Sequence, residues 1–435
     1  MKIAVIGGAG VRTPLLVNGL VRSDLPVSEV ALYDIDQPRL ATISALAARV
    51  APGARIRACR DAQACLEAAD FVFTSIRVGG IEQRAADEAV TLEHGIVGQE
   101  TVGPGGFAMA MRSIEPMQAY ARDIARLAPS AWVINFTNPV GMITQAMRGA
   151  APVKVIGICD TPTELFEEAA HALEVPSTEC FFDYVGLNHL GWLRELYWRG
   201  EAQLHRLWDR PDLLRAVYRA PLFDPARLAS LQLLPTEYVY YYDHAREAFG
   251  HLHRSGRSRG QVIAELNTQL FAELGRHDRD PVEVYEAYLA ARNAGYMQLE
   301  SGAPAPLARS PWAELTGYDR IALATVRAIH FNTGAIIPLN VANRGNLNGL
   351  EPDDVIEVPC TVNTNGALAL HAGPVPPAVA DLVWQVKRYE RATIRAATSG
   401  DPRDAAAALA INPLVPSAAI ADQLVAALLP RCSPA

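Results

Sequence analysis

Features that would assign a protein to a membrane or to nucleic acid are missing from this 435-residue chain. No run of about 18 apolar residues occurs, so no membrane span is expected. The formal net charge is −8, which argues against a general nucleic-acid binder and against a membrane-surface protein. The N-terminal MKIAVIGGAG passes from an apolar run directly into glycines without a cleavage-site pattern, so we expect no signal peptide and a cytoplasmic location.

Cysteine is also scarce, and its spacing indicates neither a disulfide framework nor a zinc finger. The chain has six cysteines, and none of them is in paired zinc-finger spacing. Since no export signal is expected, we predict that they are reduced thiols. They are Cys59, Cys65, Cys159, Cys180, Cys360 and Cys432.

The remaining composition is that of an ordinary globular protein. Hydrophobic residues make up 50% of the chain and charged residues 20%, which can support a large core. The length suggests roughly two or three domains of about 150 residues each. No internal repeat or low-complexity linker is visible, so we expect the parts of the chain to pack closely on one another.

The N-terminal segment carries the outline of a dinucleotide-binding fingerprint. The apolar strand KIAVIGG leads into Gly7, Gly8 and Gly10, a helix-like TPLLVNGLVRS follows, and the second strand ends on Asp34. Glycines let the backbone approach a pyrophosphate, a helix N-terminus attracts its charge, and the acid can bind ribose hydroxyls. The third glycine position of the motif falls on Thr13, so an empty Rossmann-like turn is the alternative. An acid rather than an arginine at position 34 favours NAD over NADP.

Strand and helix patterns continue to alternate after this segment. Helical PRLATISALAARV, the strand ARIRACR, helical DAQACLEAA and the strand DFVFTSI follow one another. This alternation predicts an α/β fold with a mainly parallel, doubly wound, Rossmann-like sheet, which we place at residues 1–195. For residues 196–435 we expect a mixed α+β domain, helical from about 201 to 296 and with two strands at AIIPLNVANRG and DVIEVPCTV.

Polar and metal-binding residue types follow three apolar runs in the middle of the chain. VINFT is followed by Asn138, KVIGI by Cys159 and Asp160, and FFDYVGL by Asn188 and His189. Because ligands bind at the carboxyl ends of strands in open α/β sheets, these side chains should meet at one rim. A thiolate with an imidazole suits a divalent transition metal. The alternatives are a small buried hydrophobe for the cysteine and a structural role for the histidine.

A long polar and glycine-rich segment over residues 77–112 follows the fourth strand, which places it over the cofactor crevice. Its candidate ligand contacts are Arg77, Arg84, Glu100 and Arg112. A solvated loop with a charged helix is the alternative for any one of them.

Aromatic and basic residues cluster further along the chain. The run LPTEYVYYYDHAREAF contains Tyr238, with Tyr242 one helical turn away on the same face. Such a row of aromatic residues belongs to the hydrophobic core more often than to a catalytic site, although a tyrosine beside a metal site could take a carbon-bound proton. The segment HLHRSGRSRG adds Arg254, Arg257 and Arg259, which form either a solvated loop or an anion clamp.

Several motifs together carry a family resemblance. They are IGGAG…TP, YDID, GIVGQETVGPGGF, NFTNPVG, GICDTP, GLNHLGW, EYVYYY and NRGNLNGL…DDVIEVPC. In these motifs the chain resembles, nearly end to end, family 4 glycoside hydrolases, the NAD- and divalent-metal-dependent glycosidases. Within that family it is most similar to the 6-phospho-β-glucosidases. The resemblance implies the architecture of lactate and malate dehydrogenases.

The resemblance also implies a redox-elimination route, unlike that of two-carboxylate glycosidases. NAD⁺ takes hydride from C3 of the sugar, and the ketone acidifies the C2 proton while Mn²⁺ or another divalent metal polarises the C2 and C3 oxygens. A tyrosinate removes that proton and the aglycone leaves from C1. Water then adds, NADH returns the hydride, and the net reaction is hydrolysis.

By the same resemblance, Cys159 and His189 are the metal ligands and Tyr238 is the catalytic base. Glu100 matches a residue that raises the basicity of that tyrosine. Asp160 follows the metal-binding cysteine, where some α-specific members use an acid and β-specific members often have asparagine. This residue leaves the anomeric preference open, while LNHLGW and the lack of a histidine after Cys159 favour β-glucosides.

The resemblance assigns Arg84, Asn138 and Asn188 to the substrate and Arg259 to a 6-phosphate group. It implies a phosphorylated disaccharide or aryl glucoside as substrate, no nucleic-acid or membrane partner, and a homodimer or homotetramer. Three alternatives stay open: an α-specific or non-phosphorylated-sugar member of the family, an NAD-dependent 2-hydroxy-acid dehydrogenase, and a non-catalytic NAD-bound sensor.

Overall fold

Strands and helices alternate in the N-terminal part of the chain, as the sequence pattern predicts. The structure is a computed structural model that describes residues 1–218, 222–276, 278–302 and 318–431. The elements of this part are β1 (Lys2–Ile6), α1 (Thr13–Arg22), β2 (Glu29–Tyr33), α2 (Gln37–Val50), β3 (Ile56–Ala58), α3 (Ala62–Leu66), β4 (Phe71–Thr74), α4 (Gly80–Glu93), α5 (Gly103–Leu127), β5 (Trp132–Asn135), α6 (Val140–Ala150), β6 (Lys154–Gly157) and α7 (Thr161–Ala172).

The six strands of this part form a parallel sheet in the order β6-β5-β4-β1-β2-β3. All four residues of β4 are buried, so both faces of the sheet are covered, because neighbouring strand residues point to opposite faces. The direction of strand addition reverses between β1 and β4, which creates a crevice at their carboxyl ends. The predicted α/β class with a doubly wound parallel sheet is confirmed.

Helices dominate the second part of the chain, which also adds antiparallel strands. Its elements are β7 (Cys180–Leu187), β8 (Leu190–Trp198), β9 (Glu201–Ala202), α8 (His205–Trp208), α9 (Pro211–Ala216), α10 (Pro225–Leu231), β10 (Leu234–Pro235), α11 (Tyr240–Asp243), α12 (Ala245–Ser255), α13 (Arg259–Leu274), α14 (Pro281–Ala294), α15 (Gln298–Ser301), α16 (Tyr318–Phe331), β11 (Ala335–Ala342), β12 (Val355–Asn363), β13 (Gly366–Ala369), α17 (Pro377–Ser399), α18 (Pro402–Ile411) and α19 (Ala418–Leu428). Single turns of 3-10 helix occupy Ser177–Glu179, Glu237–Val239 and Leu429–Arg431.

A single sheet joins the two parts. Strand β11 pairs antiparallel with β6, β12 pairs with β11, and β7 pairs with β12, so the parallel sheet continues without a break into β8 and β10. The β11–β12 hairpin therefore lies between β6 and β7, which are consecutive strands in the chain. The predicted domain division at residue 195 falls inside β8 and stays a prediction.

Two expectations from the sequence, that no helix spans a membrane and that the cysteines are reduced thiols, can be compared with the described residues. No helix in them is long and apolar enough to cross a membrane. Cys59, Cys65, Cys159, Cys180 and Cys360 are free thiols. The sixth cysteine, Cys432, lies outside the described residues.

Candidate functional site

A cavity of about 1170 Å³ lies at the carboxyl ends of β1, β2 and β4 and is closed by helices from the second part. Its wall takes in most of the residues predicted to bind ligands. These are Gly7, Gly10, Asp34, Arg77, Arg84, Glu100, Asn138, Asp160, Tyr238 and Arg259. Of the other predicted residues, Gly8, Cys159, Asn188, His189 and Arg112 are not part of this wall.

The glycine-rich turn forms one end of the cavity. Gly7 has a φ of +90°, and a Cβ at this position would lie 2.2 Å from the Ser75 carbonyl oxygen, so only glycine fits. Gly8 packs against β2, where a Cβ would lie 2.9 Å from the Leu32 Cβ. The Ala9 N–H donates to the Asp34 carboxylate at 3.1 Å, which holds this acid beside the turn. The turn therefore has the close-packed geometry predicted for a dinucleotide-binding fingerprint.

Glu100 forms the centre of a charged cluster in the middle of the cavity. Its Oε2 lies 2.8 Å from Arg77 Nη1 and 2.8 Å from Arg84 Nη1. Arg84 also pairs with the buried Glu88, at 2.8 Å between Nε and Oε1. Burial alone would raise the pKa of Glu100, but Arg84 and Arg77 outweigh burial and lower this pKa to about 2. Glu100 is therefore ionised at all physiological pH values.

Arg112, predicted as a possible ligand contact, has a different position. Its guanidinium forms a buried ion pair with Asp87 and donates to the Val78 carbonyl at 3.3 Å. Val78 and the following glycines belong to the cavity wall. Arg112 thus supports the loop of the cavity wall without lining the cavity. The sequence could not distinguish this role from a direct contact with a ligand.

Tyr238 lies flat on the imidazole of His189. The two ring centroids are 3.8 Å apart and the ring planes differ by 5°. Tyr238 belongs to the 3-10 turn Glu237–Val239 rather than to a regular helix, so the predicted helical face shared with Tyr242 is only approximate. Burial, followed by the charges of Glu237 and Glu100, raises the pKa of the Tyr238 hydroxyl well above its ordinary value.

The hydrogen bonds of His189 leave one ring nitrogen available. His189 Nδ1 lies 2.8 Å from Thr101 Oγ1, and that hydroxyl donates its own proton to Gln99 Oε1 at 2.9 Å. Thr101 must therefore accept from Nδ1–H, which leaves a lone pair on Nε2. Nε2 is buried and has no hydrogen-bond partner among the described residues. Burial lowers the pKa of His189 to about 4, so the ring is neutral at physiological pH.

Cys159 lies near the ring stack, since its charge is among the influences that raise the pKa of Tyr238. Cys159 follows β6, is 1% exposed and donates to Thr161 Oγ1 at 3.2 Å. Burial, together with the nearby charges of Glu357 and Asp160, raises the pKa of this thiol. Asn138 Oδ1 is a buried acceptor without a partner in the part of the chain that is described, whereas the Asn188 side chain donates to the Glu357 carboxylate. Such an orphaned acceptor marks a place where a ligand completes the hydrogen bonds.

These residues fit a divalent metal ion with an incomplete protein ligand set. No group of three or more histidine, cysteine or acidic side chains that could hold a metal occurs within the described ranges. The thiol of Cys159 and the free lone pair of His189 Nε2 provide two soft-to-intermediate donors, which suit a transition metal. A two-ligand site leaves coordination positions for substrate oxygens, as catalytic metal sites require.

The opposite wall of the cavity carries a pair of arginines. Arg259 Nη2 donates to the Arg292 carbonyl at 2.5 Å, and Arg292 Nη1 donates to the Tyr288 hydroxyl at 3.1 Å. Neither guanidinium forms an ion pair with a carboxylate of the described residues. Burial and then the charge of Arg292 lower the pKa of Arg259, and the charge of Glu300 only partly offsets them. Arg254 and Arg257, by contrast, are exposed.

Some residues of the cavity wall were not predicted from the sequence. They are Arg292, Tyr296, Glu300 and Asp319, and Glu237 lies directly behind the wall and accepts a hydrogen bond from the Tyr296 hydroxyl. Each is a single polar residue in a helical or turn segment far from the recognised motifs. The sequence contains no local signal that separates such residues from a solvated helix face.

Comparisons with known proteins first define the class of fold. A lactate dehydrogenase from a Medee basin deep-sea metagenome library superposes with a TM-score of 0.54 at 14% identity, over 91% of this chain and 98% of that one. This likeness concerns the fold alone. It confirms the predicted dehydrogenase-like architecture.

The family follows from the sequence matches. The family 4 glycosyl hydrolase model matches residues 2–175, and the model of the family 4 glycosyl hydrolase C-terminal domain matches residues 184–415. The chain therefore belongs to the family 4 glycosyl hydrolases, as its motifs predicted.

Two relatives illustrate the range of this similarity. The probable 6-phospho-β-glucosidase of Bacillus subtilis (strain 168) is 31% identical over 444 residues, covering 99% of this chain and 96% of the relative. The 6-phospho-β-glucosidase from Thermotoga maritima, solved with manganese, NAD⁺ and glucose-6-phosphate, is 27% identical. Its structure superposes with a TM-score of 0.83 over 99% of this chain and 98% of that one.

Replacing Glu100 with glutamine should change how stability depends on pH. The pKa of Glu100 is about 2 in the folded chain against 4.5 as its ordinary value, so its stabilising effect is complete above about pH 4.5 and is lost as the pH falls towards 2. At neutral pH Glu100→Gln should lower the free energy of unfolding by roughly 3 kcal/mol, and the difference should shrink through this acid window. Urea unfolding of the wild type and the variant at a series of pH values measures this difference in the free energy of unfolding.

The matched control is Glu265→Gln, which removes the exposed carboxylate that pairs with Arg257. Exposed pairs contribute little, so this variant should stay close to the wild type at every pH. A gap between Glu100→Gln and the wild type that does not change with pH would contradict the assignment of the low pKa to Glu100.

Proposed function

We propose that this chain hydrolyses 6-phospho-β-glucosides and uses NAD and a divalent metal ion such as Mn²⁺ for the reaction. The observation that carries the proposal is the ring stack of Tyr238 on His189, whose Nε2 lone pair is buried without a partner. Tyr238 as the proposed base and His189 as a proposed metal ligand are thus in contact, and the nearby cavity also has a dinucleotide-type turn. The names and ligands of the two relatives support the substrate and both cofactors.

Each cofactor has a place that fits it. Gly7, Gly8, Gly10 and Asp34 would hold the dinucleotide, and Cys159 with His189 would hold the metal ion. When bound, NAD⁺ accepts the hydride from C3 and returns it, and the metal ion acidifies the C2 proton by polarising neighbouring oxygens.

Tyr238 is the proposed base for the C2 proton. Its ring is fixed by stacking on His189, and the residue lines the cavity in a partly buried position. The negative charges of Glu237 and Glu100 raise its pKa, so the tyrosinate, once formed, is a stronger base than tyrosinate in water. Glu100 is held in place for this role by its two arginines.

Polar groups with spare hydrogen-bonding capacity are the proposed sugar contacts. Asn138 Oδ1 is an unpaired acceptor that a sugar hydroxyl can satisfy, while Asn188 stays a proposed contact from the sequence because its side chain donates to Glu357. Arg84 borders the same space. Asp160 also lines the cavity and is the proposed acid for the leaving group, which keeps an α-specific enzyme as the second candidate.

Arg259 is the proposed contact for the 6-phosphate, with Arg292 as its neighbour. Both are cavity residues without a carboxylate partner among the described residues, so a phosphate dianion would neutralise charges that the fold leaves unpaired. This favours phosphorylated disaccharides or aryl glucosides over neutral sugars. A cytoplasmic location and a homodimer or homotetramer stay predictions from the sequence.

The function is tested by release of p-nitrophenol from its 6-phospho-β-glucoside, with and without NAD⁺ and Mn²⁺. We expect turnover only when both are present, with no net accumulation of NADH. The α-anomer and the unphosphorylated β-glucoside run in parallel and should be poorer substrates. Steady NADH formation from 2-hydroxy acids without glycoside cleavage would contradict the proposal, and faster cleavage of the α-anomer would establish the second candidate.

Replacement of Tyr238 by phenylalanine should abolish turnover because the ring stack is kept and only the hydroxyl is lost. We expect kcat to fall by roughly 10³-fold, the range of general-base contributions, while NAD binding measured by calorimetry is unchanged. The matched control is Tyr242→Phe, since Tyr242 is not part of the cavity wall. Full activity of the Tyr238 variant would rule out its role as the base.

Replacement of Arg259 by glutamine should weaken binding of the phosphorylated substrate selectively. Loss of a charge-assisted hydrogen bond of about 1.5–3 kcal/mol predicts a KM increase of roughly 10- to 100-fold for the 6-phosphoglucoside. Any residual activity on the unphosphorylated glucoside should not change. Arg254→Gln, in the exposed part of the same basic segment, is the control. Equal effects of Arg259→Gln on both substrates would show that Arg259 does not bind the phosphate.

A further inference from the structure

A row of four paired residues crosses the sheet between the two proposed metal ligands. Gly157 of β6 pairs with Asn340 of β11, Asn340 pairs with Glu357 of β12, and Glu357 pairs with Gly186 of β7. The row begins two residues before Cys159 and ends three residues before His189. The motif DDVIEVPC, which contains Glu357, has no role in the proposed chemistry so far.

Glu357 is a buried carboxylate whose two oxygens are both engaged. Its Oε2 accepts from the Tyr184 hydroxyl at 2.8 Å, and its Oε1 accepts from Asn340 Nδ2 at 2.7 Å. Both donors lie on the strands that flank β12. The whole residue is 1% exposed. The side chain of Asn188, the residue directly before His189, also donates to this carboxylate. Donors from two flanking strands and from the segment after β7 therefore fix its orientation.

The fold makes room for this network at a specific place. A Cβ at position 191 would lie 1.8 Å from the Tyr184 hydroxyl, so the Tyr184–Glu357 hydrogen bond depends on Gly191. A Cβ at position 157 would lie 2.9 Å from the Asn340 Cβ, so Gly157 allows Asn340 its position. Two glycines at close contacts indicate that the network is built into the sheet.

No cationic side chain of the described residues forms an ion pair with Glu357. Two other buried acids have such a partner: Asp87 has Arg112, and Glu390 has Lys387. Transfer of an unpaired carboxylate into a protein interior costs several kcal/mol unless a positive charge lies close by. Glu357 is linked to both proposed ligands by geometry: the paired row leads to Gly157, two residues before Cys159, and the side chain of Asn188, the residue before His189, donates to Glu357.

We propose that Glu357 is a positioning residue of the metal site, which stabilises a divalent cation at Cys159 and His189 through its charge and holds the strands that carry them in register. The proposal rests on the proposed function, because it requires a metal ion at these two ligands. We place Glu357 outside the coordination sphere of the ion, where its hydrogen bonds to Tyr184, Asn340 and Asn188 hold it. The positive charge of the ion provides the counter-charge that the described residues lack.

The test measures metal binding directly rather than turnover. Mn²⁺ affinity is determined by equilibrium dialysis, and Co²⁺ is titrated while the thiolate-to-cobalt charge-transfer absorption of Cys159 is recorded. Glu357→Gln keeps the shape and removes the charge, and it should weaken Mn²⁺ and Co²⁺ binding by roughly 10- to 100-fold, as outer-sphere changes at metal sites do. NAD binding should be unaffected.

A matched control separates the charge from general effects of a Glu-to-Gln change. Glu195 lies on β8 of the same sheet and accepts backbone N–H groups of Leu196, Gln203 and Leu204 at 2.8 to 3.1 Å. Glu195→Gln should bind both metals like the wild type. If Glu357→Gln is insoluble, Tyr184→Phe removes only the hydroxyl that fixes the carboxylate, and it should weaken Mn²⁺ binding severalfold.

Three outcomes are distinguishable. Weaker metal binding by Glu357→Gln or Tyr184→Phe, but not by Glu195→Gln, supports the proposal. Wild-type metal affinity in Glu357→Gln overturns the positioning role of Glu357, and the same holds for Tyr184→Phe when that variant is used instead. The proposed function still stands in that case, provided that Cys159→Ser loses the cobalt absorption. Failure of the wild type itself to bind Mn²⁺ or Co²⁺ would overturn the proposed function and this inference together.

Discussion

The continuity of one sheet through both parts of the chain is the constraint on which the site depends. Cys159 follows β6 and His189 follows β7, but these strands are separated in space by β11 and β12, which come from the last third of the chain. All three pairings from β6 to β7 are antiparallel, so β7 runs opposite to β6, and the expectation that both carboxyl ends lie on one edge of the sheet was wrong. The inserted hairpin sets where the two residues lie relative to each other. The proposed metal site is therefore a product of the complete fold rather than of the N-terminal sheet alone.

Charge balance inside the protein separates structural groups from ligand-binding groups. Arg84 and Arg77 together balance Glu88 and Glu100, and Arg112 is matched by Asp87, so these groups are neutral as a whole. Some other buried groups of the described chain have no ion-pair partner. Arg259 and Arg292 lie close together without one, and Glu357 is a buried acid without a cation whose pKa burial raises to about 7. An anionic phosphate and a cationic metal ion are the ligand charges that would neutralise them, which connects the proposed substrate with the proposed cofactor.

The sequence predicted those features that depend on local signals. Alternating strands and helices, the glycine turn at Gly7, and polar residues directly after strands are each visible within a short window, and the structure has them. Pairings between distant segments were not predictable. Insertion of β11–β12 between β6 and β7, the pairing of Arg112 with Asp87, and the approach of Arg292 to Arg259 depend on contacts made only in the folded chain. Tyr238 was found by family resemblance, whereas its 3-10 turn was not, because the turn is set by packing on His189.

The surroundings of Tyr238 contain a conflict that the proposed chemistry resolves. Burial and the charges of Glu237 and Glu100 raise the pKa of its hydroxyl, so the free chain holds this residue as a neutral phenol. A base must be deprotonated to act, and efficient general bases have a pKa near the working pH. Positive charge close to the hydroxyl would favour the tyrosinate, and a divalent cation held by Cys159 and His189 would supply it. On the proposed chemistry, the carboxylates that make tyrosinate strongly basic would therefore also make its formation depend on cation binding.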